Sequence, residues 1–227
     1  MINLIRKTNL MSSFTQSLKK FPRLFWISNV IELFERWGWY AFYNGFIALY
    51  LTTPKEDGAL GFSNVEKGTI MGTASMILYF LPVITGAIAD RVGYKKVLIT
   101  SFITYVISFF MLSRFETFGS IFAAFILLAV AGALFKPLIS GTVARVTDRE
   151  TASLGFGIFY MVVNIGGFIG PFVASLLYKN NWNSVFYMSI AAMTLNLLIT
   201  LFFYKEPAVT GSGNSFIKNI GIAFKNI

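Results

Sequence analysis

Glu32-Leu33-Phe34-Glu35-Arg36-Trp37-Gly38-Trp39-Tyr40 puts two carboxylates and a guanidinium inside a segment otherwise apolar enough to cross a bilayer. On a helix advancing about 100° per residue, Glu32, Glu35, Arg36, Trp39 and Tyr43 fall within about 100° of arc, with Tyr40 at its margin. One face of such a helix is polar and aromatic and the opposite face is greasy. A charge at the centre of a bilayer costs about 2.5–3.5 kcal/mol on insertion scales, so three left unpaired cost roughly 8–10 kcal/mol. Each Leu, Ile, Phe or Val returns only about 0.3–0.6 kcal/mol. The segment therefore requires a polar partner or a wet cavity from elsewhere in the chain.

The whole sequence points to a membrane. Of its 227 residues 56% are hydrophobic and only 13% charged, against about 25% charged in soluble domains. Several apolar stretches exceed the roughly 20 residues a spanning helix needs. Cysteine and histidine are both absent, which excludes disulfides, thiol chemistry and the usual zinc ligands, so any proton carrier has to be a carboxylate. No metal or organic cofactor is expected, and no nucleophile–base set or phosphate loop suggests an enzyme. The net charge of +9 does not read as nucleic-acid binding, because the basic residues lie in short connections between greasy segments.

In chain order, residues 1–23 read as a cytoplasmic lead-in rather than a cleaved signal, since no apolar run ends in a small-residue site. Translation starting at Met11 is one option. Residues 24–204 read as a bundle of six spans, at about Leu24–Leu51, Gly68–Ala89, Val97–Leu112, Gly119–Val143, Leu154–Tyr178 and Val185–Tyr204. Pro82 and Gly86 interrupt the second. Residues 205–227 read as a cytoplasmic linker in which a short amphipathic helix, capped at Ser215, lies on the inner leaflet. With the N-terminus inside, the inner connections hold five, three, two and three basic residues, thirteen in all, against Lys55, Lys67, Arg114 and Lys179 outside. Both termini are thus expected in the cytoplasm, with the protein in the plasma (inner) membrane.

Lys136 is the second conspicuous charge, deep in span four beside the helix-disrupting Pro137. An ammonium there wants a carboxylate, and pairing with Glu32 or Glu35 makes a neutral cluster of two acids and two bases. A plain packing bridge between helices is the alternative, although buried ion pairs are weak stabilisers and intramembrane ionisable groups usually mark ion or substrate pathways. Spans one and four are the first members of two triplets, which suggests two three-helix repeats. In span five, Gly166 and Gly170 form a G-x-x-x-G packing pair. Tyr160 and Asn164 either pack or line a cavity, and Tyr79 in span two is equally open. Trp26 and Tyr50 fit an interfacial aromatic belt. Asp90 ends a helix, where the dipole disfavours it, so it should be paired with Arg91 or a group beyond the chain.

Three stretches resemble one transporter family. Glu32-x-x-Glu35-Arg36-Trp37-x-Trp39-Tyr40 resembles the first-helix E-x-x-E-R-F-x-Y-Y motif of proton-dependent oligopeptide transporters, with Trp for Phe and for the first Tyr. Phe159-Tyr160-x-x-Val163-Asn164-x-Gly166 resembles the fifth-helix F-Y-x-x-I-N-x-G motif, and Lys136-Pro137 the fourth-helix Lys-Pro, with Leu138 where Asn is usual. Gly86-x-x-x-Asp90-Arg91-x-Gly93-Tyr94-Lys95-Lys96 is similar to the loop motif of the wider major facilitator superfamily.

The resemblance implies an all-α N-terminal half of a major facilitator fold, with a missing C-terminal six-helix half as partner, and proton-coupled uptake of di- or tripeptides by alternating access. Glu32, Glu35, Arg36 and Lys136 would form the coupling cluster. Arg36, Trp39, Tyr40, Tyr79, Lys136, Tyr160 and Asn164 would meet the substrate, and Gly86, Asp90, Arg91, Gly93, Lys95 and Lys96 would form a cytoplasmic gate. Another small solute or organic anion is the nearest alternative, and a non-transporting scaffold or sensor the alternative from another class.

Overall fold

The computed structural model of the protein describes residues 15–44, 46–179 and 181–207; the proposed start at Met11 and the amphipathic tail lie outside them. The described residues are helical, with no strand among them. Beyond a short turn at 15–19, the helices are α1 (Arg23–Tyr43), α2 (Phe46–Thr52), α3 (Asn64–Val92), α4 (Tyr94–Arg114), α5 (Phe118–Val146), α6 (Ala152–Leu177) and α7 (Asn183–Phe202). The last five of these are long and apolar enough to cross a bilayer. Helix α1 is as long as α4, but Arg23, Glu32, Glu35 and Arg36 raise its polarity.

Span one proves to be two helices. Asn44 leaves helical geometry after donating its N–H to Tyr40 O, and α2 follows as a separate two-turn helix. The segment behind it folds back on α2: Leu60, Gly61 and Phe62 donate their N–H groups to the carbonyls of Tyr50, Thr53 and Leu51 at 2.7–3.0 Å. The Trp182 indole donates to Asp57 O at 2.8 Å, fastening the same segment to the α6–α7 connection. Tyr50 is buried, 5% exposed, among Phe46, Trp182 and Phe186, so it is part of a packed aromatic cluster and not of an interfacial belt. Trp26, 40% exposed, does face outward.

The prolines do not break their helices. Pro82, Pro137 and Pro171 all sit inside continuous ones. A proline removes one N–H and frees the carbonyl four residues back; for Pro137 that carbonyl is Ala133 O, and the Thr85 hydroxyl of α3 donates to it at 2.7 Å. In a bilayer such a replacement is what lets an interior proline persist.

Glycine governs the closest approach. A methyl on Gly170 would lie 2.5 Å from Trp37 O and 2.9 Å from Ala41 N, and one on Gly166 2.9 Å from Leu33 O. Helices α1 and α6 therefore touch backbone to backbone, as the G-x-x-x-G spacing anticipates. On its other side α1 meets α7, where Ser189 Oγ donates to Gly38 O and Asn196 Nδ2 to Ile31 O. Helix α1 is thus held between α6 and α7. Burial is uneven around the bundle: half of the central windows of α4 and α5 is buried, but only 17% of those of α3 and α6.

Candidate functional site

Being held between α6 and α7 turns the charged stripe of α1 into the bundle. Glu35 is fully buried and Glu32 nearly so. Arg36 Nε donates to Glu35 Oε2 at 2.5 Å and lies 3.2 Å from Glu32 Oε1, so a single N–H edge of the guanidinium faces both acids. The Tyr105 hydroxyl on α4 donates to the other Glu35 oxygen at 2.6 Å. The guanidinium carbon stands over the rings of Tyr40 and Phe135, 5.5 and 5.8 Å from their centroids. Both terminal nitrogens of Arg36 are without a hydrogen-bond partner among the described residues.

Tyr105 had no signal in the sequence. It lies on a different span from Glu35, so no spacing connects them, and only its burial in an apolar helix shows that its hydroxyl has to find an acceptor.

Lys136 does not pair with either acid. It is exposed, and its ammonium stands 5.8 Å above the Tyr79 ring. The reason is its place on α5: Phe135 is the neighbour that points at Arg36, and the next residue is turned about 100° away. Lys136, Tyr79, Tyr160 and Asn164 all belong to exposed surface, with Tyr79 75% and Tyr160 61% accessible. Tyr160 and Asn164 line an open depression along α6 with Met161 and Phe168.

Trp39 differs from this group. It is buried, stacked on Tyr43 at 5.1 Å and edge-on to Tyr105 at 6.2 Å, close to Gly132 of α5. It therefore supports Tyr105 from behind, whereas the sequence had placed it at the substrate. Tyr40 lies half-buried against Gly167 of α6, and the Tyr43 hydroxyl meets Ser75 Oγ of α3 at 3.0 Å.

The turn between α3 and α4 forms a second cluster at one end of the bundle. Asp90 accepts from Arg145 Nη2 at 2.7 Å and from the Tyr94 hydroxyl at 3.2 Å, so its partner is on α5 and is neither Arg91 nor a group beyond the chain. Arg91 is exposed. The guanidinium of Arg145 also stacks 4.3 Å over Tyr94. Gly93, at φ 101°, lets the chain turn where a side chain would be strained and would meet the Glu206 carboxylate. That carboxylate accepts from Tyr94 N at 2.5 Å and Lys95 N at 3.0 Å, capping the start of α4. Lys95 Nζ in turn donates to Leu201 O at the end of α7. Gly86 packs near Pro137, and Lys96 is exposed. The ends of α3, α5 and α7 and the start of α4 are thereby tied together.

The family profile described as Major Facilitator Superfamily matches residues 25–226. The chain is 29% identical over 202 residues to the dipeptide and tripeptide permease A of Pectobacterium carotovorum subsp. carotovorum (strain PC1), covering 87% of this chain and 39% of the permease. Among solved structures it is similar to a POT family transporter in complex with a thioalcohol-conjugated peptide, at TM-score 0.74 and 23% identity, covering 92% of this chain and 48% of that one. The same figures hold for a POT family transporter in complex with 5-aminolevulinic acid. The chain thus spans less than half the length of each.

Proposed function

The chain belongs to the major facilitator superfamily, and from that premise we propose that it is a six-span half of a proton-coupled transporter for di- or tripeptides, with α1 as the sixth span. In this reading α1, α3 and α4 repeat as α5, α6 and α7, and the lightly buried faces of α3 and α6 meet a second six-helix half. Nine described basic residues support the orientation. Lys19, Lys20, Arg23, Arg91, Lys95, Lys96, Arg145, Arg149 and Lys205 lie at the end bearing the Asp90–Glu206 cluster, against Lys55, Lys67, Arg114 and Lys179 at the other. That end faces the cytoplasm, in a plasma (inner) membrane.

The observation that carries the proposal is one guanidinium shared by two buried carboxylates while its terminal nitrogens stay unpartnered. Glu35 is held twice, by Arg36 and Tyr105; among the described residues Glu32 is held only by Arg36. Glu32 is accordingly the proton carrier and Glu35 the anchor. When Glu32 takes a proton, Arg36 loses one of its two counter-charges and turns its free nitrogens to the carboxylate of a peptide, which binds as a bidentate pair. The exposed Lys136 supplies a second cation, and Tyr79, Tyr160 and Asn164 meet the peptide from α3 and α6. The proton is the coupling ion, and no organic cofactor or metal takes part. Alternating access then moves this half against the other around the site.

Vesicles from cells expressing the protein, given an inside-alkaline gradient and a labelled dipeptide, test this. Accumulation should be lost in Glu32→Gln and in Glu35→Gln while exchange of internal for external dipeptide survives. Full accumulation in Glu32→Gln overturns its role as proton carrier, whatever Glu35→Gln does. A second reading, transport of a small amino-acid derivative, draws on the similar fold that holds 5-aminolevulinic acid; such a compound competing where dipeptides do not would favour it. Gradient-driven flux of neither would favour a scaffold.

A further inference from the structure

Arg23 begins α1 and Lys205 follows α7, and the two flank a groove of about 170 Å³ whose walls are Leu24, Ile27, Phe202 and Phe203. Phe202 and Phe203 are 74% and 51% exposed, and the Arg23 guanidinium stands 5.9 Å from the Phe203 ring centroid. The described acids at this end are Asp90, Asp148, Glu150 and Glu206, and all four are engaged. Asp90 holds Arg145, and Glu150 holds Lys20 at 3.1 Å. Asp148 accepts from Glu150 N and from Thr151 N and Oγ1 within its own turn. Glu206 caps α4. Arg23 and Lys205 therefore make no ion pair among the described residues. The start of α1 adds to this positive charge, because Pro22 at its N-cap supplies no side-chain acceptor and its first turn has no acidic residue.

We infer that this groove is a binding site for an anionic phospholipid, its phosphate held between Arg23 and Lys205 and its acyl chain lying along Ile27 and Phe202. Two cations without carboxylates at the end of a bundle, above apolar walls that run down two helices, match an amphiphile with a negative head. A soluble phosphate would use the cations and leave the exposed phenylalanines uncovered, so the lipid is the better fit to the whole groove. Basic pockets between helices at the inner membrane face recognise headgroups in this way. The inference is independent of what the protein transports.

Each basic residue near a charged lipid surface contributes about 1 kcal/mol, which converts to about fivefold in affinity, and about 25-fold for the pair. Native mass spectrometry of the purified protein titrated with phosphatidylglycerol, phosphatidylcholine or glycerol phosphate provides the readout. The expected result is tight binding of one phosphatidylglycerol, reduced about 25-fold in R23Q/K205Q and unchanged in K67Q/R114Q, which removes equal charge from the opposite end. Equal loss in the two double variants, or no preference over phosphatidylcholine, overturns the assignment. Glycerol phosphate binding as tightly as the lipid overturns it too, since the groove would then be a site for a soluble anion.

Discussion

At Gly170 a single hydrogen atom in place of a methyl decides how α1 sits. The nearest atoms a Cβ would meet, Trp37 O, Ala41 N and Trp37 C, all belong to backbone, and backbone cannot move aside as a flexible side chain does. Gly170→Ala should therefore cost about 1–3 kcal/mol through overpacking and lower the thermal unfolding midpoint of the purified protein. Gly72→Ala, at a helical position with nothing within 4 Å, should raise it, by about 0.5–1 kcal/mol of helix propensity. An unchanged or raised midpoint in Gly170→Ala would place the α1–α6 contact elsewhere. This pair was legible in the sequence because G-x-x-x-G is a local pattern. Tyr105 was not, and neither was the outward turn of Lys136, because each depends on which side of a helix meets a neighbour several spans away.

Connections between helices are held as firmly as their packed faces. The turn from α5 to α6 is built on Asp148, whose carboxylate collects the Thr151 hydroxyl and the N–H groups of Thr151 and Glu150. These bonds, that of the Thr151 hydroxyl first, hold its pKa below the ordinary carboxylate value of 3.8. A lowered pKa in the folded state means the ionised form stabilises the turn. That stabilisation is complete above the unfolded value and disappears as pH falls through the folded one. Hydrogen-exchange protection of the Thr151 and Glu150 amides, corrected for intrinsic rate, should stay level from pH 7 to about 5 and decline below about 4. Asp148→Asn should remove that pH dependence, and an unchanged decline in the variant would assign it to another group. At this scale the sequence read well: the α3–α4 turn and its glycine were recognisable, and five predicted spans match helices to within a few residues. What it could not supply was the partner of Asp90, since Arg145 comes from the last turn of α5, 55 residues along. The break at Asn44 was hidden for a related reason, because apolar residues continue on both sides of it.

Across the whole molecule, charge and burial divide along different axes. Basic residues gather at one end of the bundle, and accessible aromatic and aliphatic side chains gather along α3 and α6. The proposed orientation rests on the first asymmetry. Because the sequence has no cysteine, single cysteines report it cleanly. Lys96→Cys should react with a membrane-impermeant maleimide only in inside-out vesicles, and Glu56→Cys only in right-side-out ones. The reverse pattern would invert the proposed topology.

Residues 53–62 contain proline and glycine, yet the amides of residues 60–62 fold back on α2 and its end, and the Trp182 indole holds Asp57 O. Fixing a backbone removes about 1–2 kcal/mol of conformational entropy per residue at ordinary temperature, and here that loss occurs when the chain folds. The segment therefore holds no reserve of disorder for a solute arriving from that side to quench. In the proposed transport cycle, access at this end is set by how rigid bodies open and close, with little contribution from a loop becoming ordered.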